Sequence, residues 1–235
     1  MKKLLAMLMC FAVLAVGTAA ALAEEDGATK LTVSGSGVVL VESDLAIVTV
    51  GVREVSDDVL KAQSAVNDKI AAVRQALLDA GVQEADISTD SINIYANYDY
   101  SDGAEILVGY TANNSLSVRT SDMENVGALI DAAFAAGANT LDNVQFTVQD
   151  SAEAQEQALT MAVEDARRKA EVLAAAAGMG VVSIDTIAET GVYTYDSMRN
   201  FAVADAAAME SGAGTLVQAA LVSVDASVSM EFTLR

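Results

Sequence analysis

The residues that most often carry enzyme chemistry are nearly absent from this chain. It has no histidine and no tryptophan, and its single cysteine is Cys10. Without His, neither a Ser-His-Asp nor a Cys-His nucleophile system can be built. Zinc sites of the His/Cys type and His-ligated haem are excluded on the same ground. Phosphate chemistry finds no G-x-x-x-x-G-K-[ST] loop. Gly35 and Gly37 run on into a strand pattern, whereas a dinucleotide turn must open a helix.

Three weaker constellations remain. Asn97, Asp99, Ser101 and Asp102 crowd before Gly103 like a calcium loop, but the glycine falls one place late and Val108 stands where the closing Glu belongs. A hairpin turn explains them better. Paired carboxylates of the glycosidase kind are conceivable among 33 acids, yet no aromatic sugar platform accompanies them. Finally, Tyr95, Tyr98, Tyr100 and Tyr110 flank the hairpin turn. Tyrosine joins an apolar ring to a polar tip and suits an interface as well as a core. These four are the candidate interface residues. No catalytic, cofactor-binding or metal-binding residue is assigned.

The ends bound the compartment. Lys2 and Lys3 precede an apolar run from Leu4 to Val16, and Ala21-Leu22-Ala23 offers an A-x-A cleavage site before Glu24. This is the pattern of a secretory signal peptide over residues 1–23. The apolar run is short for a bilayer span of about 20 residues. Cleavage would remove Cys10, leaving no thiol, and would leave eleven basic residues against 33 acidic ones, a charge of −22. Such a charge repels nucleic acid and anionic lipid. The expected protein is exported, periplasmic or otherwise extracytoplasmic, with no transmembrane segment after processing.

Residues 24–235 mix strand and helix patterns throughout, which points to α+β or α/β architecture. Strands are expected over about 30–41 and 45–55, joined by a turn at Glu42-Ser43-Asp44 as an antiparallel hairpin. Asp57 or Asp58 caps a helix running to Ala80, with Val59, Val66, Ile70, Val73 and Leu77 on one stripe. Strand 87–98 sets Ile92, Ile94, Ala96 and Tyr98 on one face and returns through Ser101-Asp102-Gly103 as a strand over about 105–120. Asp122 is placed to cap a short helix with Met123, Val126, Ile130 and Phe134 inward. A strand over 143–149 follows, then the longest helix, 151–177, with an alanine-rich stripe. Glu164–Arg168 and Asp165–Lys169 are spaced as ion pairs on its outer side. Gly81, Gly137 and Gly178 stand where these helices should stop. A strand over 181–190 and a strictly alternating one from Val222 to Leu234 complete the pattern. Between those two lies an irregular stretch, about 195–215, read as a mobile loop or an assembly arm.

An ordered set of short motifs carries a family resemblance. It comprises Val33-Ser34-Gly35-Ser36-Gly37, Asp44-Leu45-Ala46, Gly81-Val82, Asp86-Ile87-Ser88-Thr89, Gly109-Tyr110-Thr111-Ala112, Gly137-Ala138-Asn139 and Asp165-Ala166-Arg167-Arg168-Lys169-Ala170. With these the chain resembles the SIMPL-domain (DUF541) family of cell-envelope proteins over nearly all of residues 31–234. Where the family usually has Pro-Gly before the final strand, this chain has Ser211-Gly212-Ala213-Gly214 and no proline anywhere.

The resemblance implies a mixed α+β, SIMPL-like fold, with mostly antiparallel sheets packed against two long helices and one short one. Residues 24–235 are read as one SIMPL domain, either a single large unit or two intertwined α+β subdomains. It implies self-association, up to a large ring-like homo-oligomer, no cofactor, and an indirect part in oxidative-stress defence. The resulting expectation is a non-catalytic, self-assembling envelope protein. An acidic ligand- or cation-binding module is the alternative, and a carboxylate hydrolase the remote one.

Overall fold

The structure, a computed structural model, describes residues 28–101, 103, 105–196, 214–215 and 217–235. The cleavage site at Ala23 and Glu24, and most of the 195–215 stretch, lie outside the described residues.

The fold is α+β, with two antiparallel sheets each covered by helices. In chain order the elements are β1 (Thr29–Glu42), β2 (Leu45–Ser56), α1 (Val59–Asp79), β3 (Ile87–Asp99), β4 (Ile106–Thr120), α2 (Val126–Ala135), β5 (Thr140–Thr147), α3 (Ala152–Ala176), β6 (Val181–Asp196) and β7 (Leu221–Leu234). Single 3₁₀ turns precede β3 and α2. One sheet has strand order β1-β7-β6 and the other β3-β4-β2-β5.

The four-stranded sheet is covered by α1 and α2. Its core interlocks branched side chains: Val48, Val50 and Val52 of β2 meet Val66, Val73 and Leu77 of α1 and Leu129 and Ile130 of α2. Asp58 caps α1 by accepting from the amides of Leu60 (2.9 Å) and Lys61 (3.0 Å), as its position before the apolar stripe predicts. Helices α1, α2 and α3 are each followed by a glycine at positive φ: Gly81, Gly137 and Gly178.

Among the described residues, the three-stranded sheet is covered by α3 alone. Ala154, Ala158, Ala162, Ala166, Ala170 and Ala174 form its entire buried stripe. Opposite them on β1 sit Gly35 and Gly37. A Cβ at Gly35 would lie 2.0 Å from the carbonyl oxygen of Ala162, and one at Gly37 would lie 2.1 Å from that of Ala158. The glycine pair that failed as a dinucleotide turn is therefore what lets the helix backbone lie against the strand. Asp165 locks the contact. It accepts from the Ser36 amide at 3.1 Å and pairs with Lys169 at 2.6 Å and with Arg168.

Several expectations need correction. Strands β1 and β2 do not form a hairpin: β1 pairs with β7 along its whole length, and β2 lies between β4 and β5. The turn at Glu42-Ser43-Asp44 instead passes the chain from one sheet to the other. Asp44 fixes the crossing through its amide to the Thr147 carbonyl and its carboxylate to the Gln149 amide (2.7 Å). Asp122 makes no side-chain cap; its carboxylate accepts from the Asn125 side chain at 2.6 Å. Phe134 points outward at 40% exposure, because the α2 stripe turns to bury Leu129 and Ala133 with Val126 and Ile130. The stripe of the longest helix, expected as Ala158, Ala162, Ala166, Ala170, Leu173 and Ala177, ends differently: Leu173 is exposed and Ala174 is buried in its place. Arg168 pairs with Asp165 rather than Glu164.

Candidate interaction surface

The tyrosines stand on the β3–β4 hairpin, at the free edge of the four-stranded sheet. Its register runs from Ile87 opposite Val118 out to Asp99 opposite Ile106. The turn is organised by Asp99, which accepts from the amide (2.9 Å) and hydroxyl (2.6 Å) of Ser101. Those bonds, the hydroxyl's first, hold the Asp99 carboxyl below the usual carboxylate range. Gly103, at φ +72, bonds back to the Tyr100 carbonyl. Asp99 and Ser101 thus serve a turn, Asn97 instead donates across the hairpin to the Thr111 hydroxyl at 2.8 Å, and Asp102 lies outside the described residues. Among the described residues no three His, Cys, Asp or Glu side chains gather where they could hold a metal.

Helix α1 reaches the root of this hairpin but not its tip. Ile87 is buried, whereas Ile92 and Ile94 on the face read from sequence are exposed. Beyond them Tyr95, Tyr98 and Tyr100 are all exposed, as are Ile106, Leu107 and Val108 on the returning strand. The rings of Tyr98 and Tyr100 lie 6.4 Å apart, and the Tyr100 hydroxyl reaches Glu105 at 3.4 Å. Tyr110 is not part of this patch. It is half-buried, opposite Ala96 and Ser56, where the hairpin joins β2. Gly109 permits that junction: at φ +150, a Cβ there would lie 2.8 Å from the Ser56 carbonyl oxygen.

The sequence reading ended β6 six residues early and so missed a second aromatic pair. Tyr193 and Tyr195 stack with ring centroids 5.9 Å apart on the exposed outer part of β6. The alternation Val192-Tyr193-Thr194-Tyr195, all strand formers, was the available signal.

Asp131, Asp185, Asp57 and Asp165, like Asp99, are held low in pKa by donors with structural roles. Asp131 accepts from the hydroxyl and amide of Thr215, anchoring the returning chain on α2. Asp185 accepts from Thr233 and Lys30, tying the strand ends of the three-stranded sheet. Asp57 is lowered by its hydrogen bond to Lys61 and then by Ser56. Asp165 is lowered to about 2, by Lys169 first and the Ser36 amide next.

An antiparallel α+β protein with two helix-covered sheets and exposed apolar strand faces is the class these observations define. The chain belongs to the SIMPL family, described as a protein of unknown function (DUF541), whose family model matches residues 31–232. It is 30% identical over 165 residues to the 26 kDa periplasmic immunogenic protein of Brucella melitensis biotype 1, covering 68% of this chain and 66% of that protein. It is 27% identical over 158 residues to the uncharacterized protein YggE of Escherichia coli strain K12, covering 67% and 64%. The chain thus matches just under two thirds of the length of these relatives. In keeping with the periplasmic relatives, the protein is extracytoplasmic. Among the described residues no helix is long and apolar enough to cross a membrane.

Proposed function

We propose that this protein is a non-catalytic, self-assembling component of the cell envelope, and that the β3–β4 hairpin is its principal contact between copies. The observation that carries the reading is the hairpin's uncovered apolar end, with Tyr95, Tyr98, Tyr100, Ile106, Leu107 and Val108 all exposed on one projecting element. Contiguous exposed apolar patches on soluble proteins mark interaction sites, and tyrosine is enriched at them. Residues 1–23 act as a cleaved leader in this reading. Residues 24–235 act as one unit of two interleaved halves, built on the two sheets, and assemble outside the cytoplasm up to a ring. Any contribution to oxidative-stress defence is indirect, through envelope integrity, since a chain without its leader has no thiol for peroxide reduction.

Sedimentation velocity on the processed protein tests the assembly. Wild type is expected to sediment as a multimer, and a Tyr98→Asp, Leu107→Asp variant as a monomer with an unchanged circular dichroism spectrum. A wild-type monomer at high concentration would remove the reading.

A further inference from the structure

Helix α3 covers only part of its sheet. Its alanine stripe packs on β1 and on the inner face of β7, where Val224, Val228, Met230 and Phe232 are buried. The apolar face does not end there. Cross-strand partners project from the same side of a sheet. The register sets Ile184 opposite Phe232, Ile187 opposite Met230, Glu189 opposite Val228 and Val192 opposite Ala226. The β6 row therefore continues the core face past the helix. Val192 still touches the core, but Ile187 is 57% exposed.

The α3 flank forms the other wall of a groove along this row. Leu159, Val163 and Arg167, at helical spacing, line a cavity of about 620 Å³ whose described lining comes from α3 alone. Arg167 also lines a second cavity, of about 410 Å³, with Glu171, Ile184 and Phe232. The groove's charge is one-sided. Glu156, Glu164 and Glu171 line the two cavities, Glu189 lies on the β6 row, and none of the four forms an ion pair among the described residues. Arg167 is the one base among the lining residues.

We propose that this groove receives a basic amphipathic helix from another protein. Two features select that occupant. Three register shifts interrupt β6, between Val181 and Ser183, Ile184 and Thr186, and Glu189 and Gly191. Such bulges blunt an edge against strand addition, so the available surface is the face of β6, which a helix lying beside α3 would cover. The four glutamates then favour a cationic partner, and charge complementarity of this kind steers encounter and excludes wrong partners. A second copy fits poorly, because its apolar hairpin would bring Asp99 and Glu105 against these acids. The groove is therefore distinct from the assembly contact and does not depend on it.

The test uses a fluorescent synthetic Leu/Lys amphipathic helix of about 18 residues, roughly 27 Å long, read by anisotropy at physiological salt. Oligolysine of equal charge and a Leu/Glu helix serve as controls. The Leu/Lys helix is expected to bind, and the other two to bind far more weakly. Ile187→Glu, and separately the pair Glu164→Lys and Glu171→Lys, should each weaken Leu/Lys binding by about tenfold or more. Tyr98→Asp should leave it unchanged while dispersing the assembly, which separates this proposal from the assembly reading. Equal binding of oligolysine and the Leu/Lys helix would overturn the proposal, as would groove variants without effect or no binding at all. Loss of self-association in Ile187→Glu would also overturn it, by making the groove a contact between copies.

Discussion

The two sheets of this protein are covered by helices in opposite ways. On the four-stranded sheet, α1 and α2 stand off the strands and fill the gap with Val, Leu and Ile side chains. On the three-stranded sheet, α3 has only alanines to bury and comes down onto glycines of β1. The first arrangement derives its stability from side-chain volume, the second from close approach of main chains. Close approach has a consequence: a helix that sits low on β1 leaves much of β6 uncovered, whereas two helices spread over the four-stranded sheet still leave its hairpin tip bare. Both candidate interaction surfaces lie where helix cover runs out.

If that contrast is right, the layers should fail in opposite directions. Truncation should damage the four-stranded layer most. Ile130→Ala empties a site that is 1% exposed and is expected to cost about 2–5 kcal/mol by urea unfolding, since a buried Ile→Ala change loses transfer energy and leaves a cavity. A loss below about 1 kcal/mol would mean that this core closes over the gap and is not interlocked. Enlargement should damage the three-stranded layer instead. Gly37→Val places a Cβ against the Ala158 carbonyl oxygen, which is main chain and cannot rotate away. Overpacking of this kind costs about 1–3 kcal/mol, and the lost stability should appear in the same unfolding measurement. An unchanged midpoint would show that α3 can lift off β1 freely.

The smallest effect sharpens the comparison through pH. Asp165 fastens α3 to β1, and its carboxyl is lowered from an ordinary 3.8 to about 2. A carboxyl whose folded pKa is depressed stabilises the fold above its unfolded pKa. Its contribution is therefore complete above about pH 4 and fades as pH falls toward 2. Asp165→Asn should destabilise the protein at neutral pH and flatten the acid limb of its stability curve between those values. An acid limb identical to wild type would show that the clamp adds nothing.

Much of the local architecture could be read along the chain. The strict alternation of Val222 to Leu234 marked β7 as a strand with one buried face, and the stripe from Val59 to Leu77 marked α1. Helix ends were legible because Gly81, Gly137 and Gly178 each adopt a positive φ that suits glycine. The hairpin turn was legible because Asp99 and Ser101 bond within their own segment. The candidate surface was half legible. Tyr95, Tyr98, Tyr100 and Tyr110 were named together as suited to an interface or a core; the first three are exposed, whereas Tyr110 is half-buried. The β6 surface went unseen, because nothing local distinguishes a strand face under a helix from one beyond its reach.

By itself, then, the sequence determined most of the elements, the buried faces of α1 and β7 and the absence of histidine chemistry, because period, capping and side-chain chemistry are local properties. Only the tertiary structure decided that β1 crosses the chain to pair with β7, that Gly35 and Gly37 seat a helix, and which apolar faces stay uncovered. Those outcomes depend on which distant segments meet, and a strand's own residues specify a buried face without specifying what buries it.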